Sequence, residues 1–408
     1  MDKKPEKLVP EVRFKGFTDD WEQHKLEEVV SVFDGTHQTP NYKTKGIMFL
    51  SVENINTLLS NKYISENEYR QRFKIKPQYL DVFMTRIGTI GKTNVITTHK
   101  PIAYYVSLAL LRPQNIQSFF LSFIIQTSKV QQDIWKRTLQ IAFPQKINKD
   151  EIGKVTLALP LQKEQIDIEK LLLKLDKLIT LQQRKLEFLK EIKKGLLQKM
   201  FADKSKFPIL RFEGFHNEWE QRKLKNVYQK IGNAFVGTAS PYYVDAGHFY
   251  LESNNIKNGQ INRNHEVFIN NSFYQKQSNK LLHTGDLVMV QSGHVGDTAV
   301  ITQEYNNSAA HALIMFRNPK DKFLSDYLNF YFQNTSAKNK INVLAIGNTI
   351  RHVLASDMSR FSVYFPNKDE RKYISNLLLK LQYTITLQQS KISQLTILKK
   401  YLLQKLFI

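Results

Sequence analysis

The chain of 408 residues carries 59 Lys and Arg against 37 Asp and Glu, a formal charge of +22. Such an excess favours polyanions, chiefly nucleic acid, although a protein that is merely basic throughout would show the same balance. The absence of Cys excludes disulfides and thiolate metal sites, and 42% hydrophobic with 12% aromatic residues belongs to a folded globule rather than a disordered basic tail.

Met1-Asp-Lys-Lys-Pro-Glu-Lys7 has charge but no apolar run behind it, so no export signal is read there. The most apolar stretch, Phe119 to Ile125, is far too short to span a membrane. A soluble, cytoplasmic protein is expected. The next segment, Val9-Pro-Glu-Val-Arg-Phe-Lys-Gly-Phe-Thr-Asp-Asp-Trp-Glu-Gln-His-Lys-Leu-Glu-Glu-Val29, returns later as Phe207-Pro-Ile-Leu-Arg-Phe-Glu-Gly-Phe-His-Asn-Glu-Trp-Glu-Gln-Arg-Lys-Leu-Lys-Asn-Val227, with 11 of 21 positions identical. A repeat of this length is a domain duplication, because solenoid and propeller repeats are only about 20 to 50 residues long. Each half is long enough to bury its own core.

Two less similar inserts follow these two opening motifs, at about 30–158 and 228–364. The first has short β-branched and aromatic runs at 47–52, 79–84 and 103–111, then a helix over about 118–138. The second has runs at 249–251, 285–291 and 311–316, then a helix over about 324–337. Faint agreement survives in the loops: Gly35-Thr36 with Pro40 and Tyr42 recurs as Gly237-Thr238 with Pro241 and Tyr242, and Asn54-Ile55 as Asn255-Ile256. Arg86-Ile-Gly-Thr-Ile-Gly-Lys92 recurs as Gln291-Ser-Gly-His-Val-Gly-Asp297. A Gly-x-x-Gly of this kind is more often a hairpin or bulge than a phosphate cradle, and both readings stand. Side chains that differ in kind around a shared turn suit two inserts that read different base sequences.

Each half closes on a long helix. Alternating steps of three and four residues visit Ile168, Leu172, Leu175, Ile179, Gln182, Leu186, Leu189, Lys193, Leu196 and Met200. The same steps in the second half visit Ile374, Leu378, Leu381, Ile385, Gln388, Ile392, Leu395, Lys399, Leu402 and Leu406. This is a heptad seam, twice, and neither stretch holds a Pro after Pro160 or Pro366. The economical partner for each helix is the other, packed antiparallel about a pseudo-twofold axis with Gln182 near Gln388. Two amphipathic helices each packed on its own domain remain the alternative. Lys193 and Lys399 are expected to snorkel out of the seam. The boundaries that follow are residues 1–158, 159–203, 204–364 and 365–408: insert-bearing domain, long helix, insert-bearing domain, long helix. The fold class is α/β in the broad α+β sense.

Catalytic signatures are missing from the sequence. There is no Gly-x-x-x-x-Gly-Lys-Ser/Thr loop, no Gly-x-Gly-x-x-Gly, no Asn-Pro-Pro-aromatic tetrad (Asn318-Pro319 continues as Lys320-Asp321) and no helical His-Glu-x-x-His. The ten His are scattered without metal-ligand spacing, so no metal site is expected. Asp369-Glu-Arg-Lys372 superficially resembles a nuclease cluster, but it sits, like Lys163-Glu-Gln-Ile166, where a helix N-terminus favours acidic residues.

The paired opening motifs Trp21-Glu-Gln-His-Lys-Leu26 and Trp219-Glu-Gln-Arg-Lys-Leu224, the Pro160 and Pro366 exits, and the paired Ile-Thr-Leu-Gln-Gln and Leu-Leu-Gln-Lys helices resemble the specificity subunit of type I restriction-modification systems. The resemblance covers essentially the whole chain. It implies two target-recognition domains joined by an antiparallel coiled coil, each reading one half of an asymmetric, interrupted site in double-stranded DNA. It also implies a non-catalytic subunit that binds no cofactor itself. Its partners would be two methyltransferase subunits using S-adenosylmethionine and two restriction subunits using ATP and Mg2+. A stand-alone DNA-binding regulator with duplicated heads is the alternative, and a self-contained nuclease or methyltransferase lacks motifs. Candidate readers are Thr36, Asn41, Lys43, Arg86, Thr89 and Lys92 in the first insert, and Thr238, Tyr242, Gln291, Ser292, His294 and Arg351 in the second.

Overall fold

The computed structural model describes residues 8–139, 141–203, 205–347 and 351–408; the N-terminal segment read for an export signal, residues 1–7, lies outside them. The chain divides into two compact units, Met1–Gln183 with Ser390–Ile408, and Arg184–Gln389. The division falls in the middle of both long helices, so each unit contains half of each.

In the first unit the repeated opening motif becomes an edge. Strand β1 (Glu22–Lys25) leads through a helical turn, α1 (Leu26–Val29), into β2 (Val30–Asp34). Trp21 is buried against Phe120 and Phe407, so its ring welds the motif to two other elements. Then follow β3 (Ile47–Leu50), β4 (Tyr63–Ile64), α2 (Glu66–Arg72), β5 (Val82–Thr85), β6 (Thr93–Val95), β7 (Ile102–Tyr104) and β8 (Leu108–Pro113). One sheet has the order β2-β8-β5-β6, a second the order β4-β3-β7 with β3 and β7 parallel. Helices α3 (Ser118–Ile125), α4 (Ser128–Lys136) and α5 (Lys149–Gly153) precede β9 (Thr156–Leu159), which pairs antiparallel with β1 just before Pro160.

Three expectations need correction. The run 103–111 is not one strand: a turn closed by the Leu108 amide on the Tyr105 carbonyl sends β7 to one sheet and β8 to the other. A single apolar run serves both because both strands are buried. The helix expected over 118–138 breaks at Thr127, which is extended (φ −70°, ψ 151°) and whose hydroxyl donates to the Ile124 carbonyl. The second-unit helix likewise breaks at Asn334, whose Oδ1 accepts from the Ser336 amide at 2.8 Å as an N-cap. Thr and Asn compete with the helix for backbone hydrogen bonds, and periodicity does not register that.

The second unit repeats this plan. Strand β10 (Glu220–Lys223) leads to β11 (Tyr228–Asn233), β12 (Tyr243–Val244), β13 (His248–Leu251), the small hairpin β14 (Ile256–Lys257) and β15 (Gln260–Ile261), and β16 (Phe268–Ile269). After the long helix α6 (Gln162–Lys199) of the first half, the next helix is α7 (Asn271–Gln275), followed by β17 (Leu287–Val290), β18 (Thr298–Val300), β19 (Ala309–Ala310) and β20 (Leu313–Pro319). Helices α8 (Leu324–Gln333), α9 (Thr335–Leu344) and α10 (Ala355–Arg360) precede β21 (Ser362–Phe365), which pairs with β10. The sheets are β11-β20-β17-β18 and β12-β16-β13-β19, with β13 and β19 parallel. The poorly matching inserts therefore share the order of the four-stranded sheet and the parallel pair of the other, to which the second unit adds β12 and the β14–β15 hairpin.

The long helices, α6 and α11, run over Gln162–Lys199 and Lys368–Lys405, 38 residues each, or about 57 Å at 1.5 Å per residue. All twenty seam positions are buried or half-buried. In the first unit Ile168 and Leu172 share a core with Leu406 and Phe407, while Asp176 pairs with Lys399 at 2.6 Å, so the two helical segments are antiparallel there. In the second, Leu197 and Met200 share a core with Ile374 and Leu378, and Lys193 donates to Gln382 Oε1 at 2.6 Å. These two contacts join equivalent positions of the repeat. Lys193 does not snorkel. Lys193 also donates to Gln333 Oε1 at 2.6 Å and lies over the Phe330 ring, and burial, helped by Lys338, pulls its pKa down to about 8.

At each helix start the opening motif supplies a buried ion pair. Arg13 donates through Nε and Nη2 to the two carboxylate oxygens of Glu164, both at 2.8 Å; Arg211 does the same to Glu370 at 2.6 and 2.8 Å, and Trp219 Nε1 adds a third bond at 3.1 Å. Glu164 is 1% exposed and Glu370 0%. Removing one partner of such a pair leaves an uncompensated buried charge. Glu370→Ala is expected to destabilise the second unit by about 3 to 5 kcal/mol, and more than Glu164→Ala destabilises the first. Urea denaturation followed by tryptophan fluorescence measures both, and equal small losses would contradict it.

Lys193→Met should stabilise the chain at pH 7, by about 1 to 3 kcal/mol, since it removes a buried charge. The folded pKa near 8 lies below the unfolded 10.5, so the unfolded chain binds more protons across that window and wild-type stability rises with pH there. Thermal denaturation from pH 7 to 10.5 should show the advantage of Lys193→Met shrinking; a constant advantage would refute the assignment.

Candidate nucleic-acid interface

The Gly-x-x-Gly motif is the turn between β5 and β6, and its counterpart joins β17 to β18. Gly88 (φ +77°), Gly91 (+83°), Gly293 (+81°) and Gly296 (+88°) all take the left-handed conformation that glycine tolerates. At Gly91 an added Cβ would stand 2.6 Å from the Gln131 amide nitrogen, which donates to the Gly91 carbonyl. Each turn is braced by a second loop that no sequence motif marks. In the first unit the Gly88 amide donates to the Gln145 carbonyl at 2.9 Å and Ile147 to Arg86 at 3.0 Å; Leu139 and Lys146 pair at the loop base. In the second, Gly293 donates to Arg351 at 3.3 Å and Val353 to Gln291 at 3.0 Å, while Ile346 and His352 pair. Because the Gly88 and Gly293 amides are satisfied within the protein, these turns are hairpin supports and not phosphate cradles.

Thr89 and Lys92 project from the first turn and are exposed. Arg86 does not project: it is buried, ion-paired with Asp34, and donates from Nε to the Ile147 carbonyl at 3.1 Å, so it holds the turn in place. Thr36 is half-buried and its hydroxyl bonds locally to Gln38. Asn41 and Lys43 are exposed, Lys43 pairing by its backbone with Tyr63 rather than with the turn. Trp135, Gln131 and Thr89 line a groove of about 420 Å³ beside the first turn.

On the second turn His294 is exposed and its Nε2 lies 3.1 Å from the Ser253 carbonyl. It rims a hollow of about 560 Å³ lined by Asn254, Lys257, Asn262, Asn264 and His265, amide and imidazole groups that match the donors and acceptors of base edges. Gln291 and Ser292 are half-buried, and Arg351 is exposed, bonded to the Asn342 carbonyl at 2.8 Å. Tyr242 is stacked on Phe273 at 4.0 Å and serves packing. Thr238 is exposed. The structure thus gathers Thr89 with Lys92, and Gln291, Ser292 and His294 with Arg351, while Thr36, Asn41, Lys43, Thr238 and Tyr242 belong to neighbouring loops.

His311 is a residue that sequence reasoning does not single out. Its Nε2 donates to the Gly237 carbonyl at 2.9 Å and its Nδ1 lies 3.3 Å from Glu252, which accepts from the Tyr243 hydroxyl at 2.6 Å. Two acceptors on two ring nitrogens require the imidazolium. The Glu252 carboxylate accordingly raises the His311 pKa, and His311 lowers that of Glu252. This bond tethers the loop that carries Thr238. Its sequence signal, a His beside an alternating strand, is too common to stand out.

Among the described residues no cluster of His, Cys, Asp or Glu could hold a metal ion, and no helix is long and apolar enough to cross a membrane. The arrangement defines an internally duplicated α/β protein, each unit built on part of both long helices. Residues 216–396 match the family model for the type I restriction modification DNA specificity domain. A Methanocaldococcus jannaschii protein described as a type I restriction enzyme MjaX specificity subunit is 22% identical over 406 residues, spanning 95% of this chain and 93% of its own. The crystal structure of a type I restriction-modification S subunit from M. genitalium shares the fold at a TM-score of 0.63, with 11% identity and coverage of 98% of this chain and 99% of that one. A chain from a structure of complex assembly and conformational transition in a type I system gives 0.56, with 12% identity and coverage of 94% and 96%. Residues 216–396 thus match a type I restriction modification DNA specificity domain, and the chain is similar to type I specificity subunits over nearly its whole length.

The folded pKa of His311 lies above its unfolded 6.5, so its contribution to stability is complete below that value and is lost as pH rises through the folded pKa. The difference in melting temperature between wild type and His311→Gln should be widest below pH 6.5 and narrow above it. A pH-independent difference would remove the imidazolium from the account.

Proposed function

We propose that each unit reads one half of an asymmetric, bipartite DNA site, and that the long helices set the gap and dock methyltransferase subunits. One observation carries the proposal: two units with the same four-stranded sheet order present the same braced turn with different side chains, Thr89 and Lys92 in one, Ser292, His294 and Arg351 in the other. A shared frame with unlike readers suits two unlike half-sites. Net charge +22 supports sequence-independent phosphate affinity. The chain acts on this reading without catalysing anything itself. Methyl transfer with S-adenosylmethionine, and translocation and cleavage with ATP and Mg2+, belong to methyltransferase and restriction partners, two of each in the full complex.

Docking is supported by the outer faces of the helices. Leu181, Ile397 and Tyr401 in the first unit and Phe188, Tyr383 and Leu387 in the second are exposed apolar side chains on helices whose seams are already buried. Exposed apolar side chains along a helix suit a surface that a partner covers.

Replacing residues 30–158 with the insert of another specificity subunit should change one half of the methylated sequence and leave the other half intact, read by sequencing methylated DNA; a change in both halves would refute independent reading. Inserting seven residues after Gln183 and after Gln389 keeps the seam and adds about 10 Å of helix, roughly three base pairs. The half-sites should persist with a longer gap. If only the original gap is methylated, the helices do not measure distance.

A further inference from the structure

Ile141 and Phe143 stand at the tip of the loop that braces the first turn, at 101% and 102% exposure. They are not there for want of anchoring. At the loop base the Leu139 amide donates to the Lys146 carbonyl at 2.8 Å, and the Gly88 and Ile147 bonds tie the loop to the turn that presents Thr89 and Lys92. An Ile and a Phe two residues apart, both held fully in water on an anchored base, forgo all the burial their side chains could gain. The surroundings name the kind of surface that would bury them. From Ile134 to Lys149 the chain holds Lys136, Arg137, Lys146 and Lys149 and no carboxylate. Arg137 is paired with Asp133 and Glu151, while Lys136, Lys146 and Lys149 are exposed. An apolar tip flanked by ammonium groups complements a stack of aromatic bases flanked by phosphates better than it complements a protein pocket.

We propose that Ile141 and Phe143 form a wedge that enters the DNA within the half-site read by the first unit and partly unstacks one base step, with Lys146 and Lys149 on the adjoining phosphates. Side chains of these types do this in DNA-bending proteins, where the unstacked step admits more protein surface. The inference rests on the reading that the first unit binds DNA, and it adds a deformation to it. Pyrimidine-purine steps, which unstack most easily, would be favoured where the tip enters, giving discrimination at a position no hydrogen bond touches.

The test uses the full chain with its methyltransferase partners and a duplex containing the methylated site, with 2-aminopurine placed in turn at each step of the first half-site. Wild type should raise the fluorescence at one step. The double variant Ile141→Ala with Phe143→Ala should lose that rise and bind about 10- to 100-fold more weakly, with an unchanged slope of log K against log salt, because no phosphate contact is lost. Lys146→Ala should instead lower the slope by about 1. Phe143→Trp should keep the fluorescence rise. Since both tip side chains are fully exposed, the double variant should melt like wild type. Unchanged fluorescence and affinity in the double variant overturn the wedge while leaving DNA recognition standing. Loss of a partner subunit from the double variant, with DNA binding by the chain itself unaltered, overturns it in favour of a protein-docking tip. A wild-type complex with no sequence preference overturns the recognition reading and the wedge with it.

Discussion

The fold turns on an ion pair made twice. Arg13 and Arg211 reach from the opening motifs to Glu164 and Glu370 in the first turn of the long helices, and both carboxylates are out of water. Charges that deep persist only when geometry is close to ideal, and here the guanidinium forks onto both oxygens. The pair fixes where the helix begins relative to the strand pair that closes the frame, β1 with β9 or β10 with β21. Everything the unit presents then hangs from that junction. The neighbouring Trp differs between the repeats: Trp219 donates to Glu370, whereas Trp21 Nε1 is buried with no partner in the structure, and packing on Phe120 and Phe407 compensates.

From the junction the long helix organises the rest of its unit by side chain as well as by seam. Gln165 and Glu169 accept from the backbone amides of Gln117 and Phe120, satisfying donors that the start of α3 leaves open. The seam polar residues have the same double duty: Lys193 joins a helix of the core to a facing Gln, and Lys399 joins Asp176 beneath the Phe123 ring. Polar seam positions thus fix register in each unit, at a cost that shows in the lowered pKa of Lys193.

Much of this is legible in the sequence because repetition is its own evidence. Both long helices contain the seam that the heptad steps mark, since a strict pattern of that kind without Pro has one regular solution. Helix-terminus charge is the local meaning of Glu164 and Glu370. It is correct as far as it goes, but their Arg partners lie some 150 residues away in sequence, where no local pattern points. The same limit hides the shared topology of the inserts: β3 beside β7 and β13 beside β19 are long-range parallel pairings, and strand order is carried by crossings that leave no periodic trace. Within the interface, the turn is visible through its glycines, whereas the bracing loops are not, because they contribute chiefly backbone hydrogen bonds with which almost any side chain is compatible.

That last property explains how one turn can carry two sets of projecting side chains. The bonds that hold it, Gly88 to Gln145 and Ile147 to Arg86 in one unit, Gly293 to Arg351 and Val353 to Gln291 in the other, are backbone to backbone. Exchanging Thr89 for a histidine as at His294, or Lys92 for an aspartate as at Asp297, leaves them intact. Position 86 is the exception. Arg86 is buried on Asp34, whereas its counterpart Gln291 has an Oε1 that is buried and unpartnered. A buried side chain is constrained by the turn's foundation and not by what the turn faces, so exchange there alters the support while exchange at 89 and 92 alters only what the turn presents. On the proposed function, the residues that project from the turn can differ between the two units without disturbing it, because the backbone alone carries the structure there.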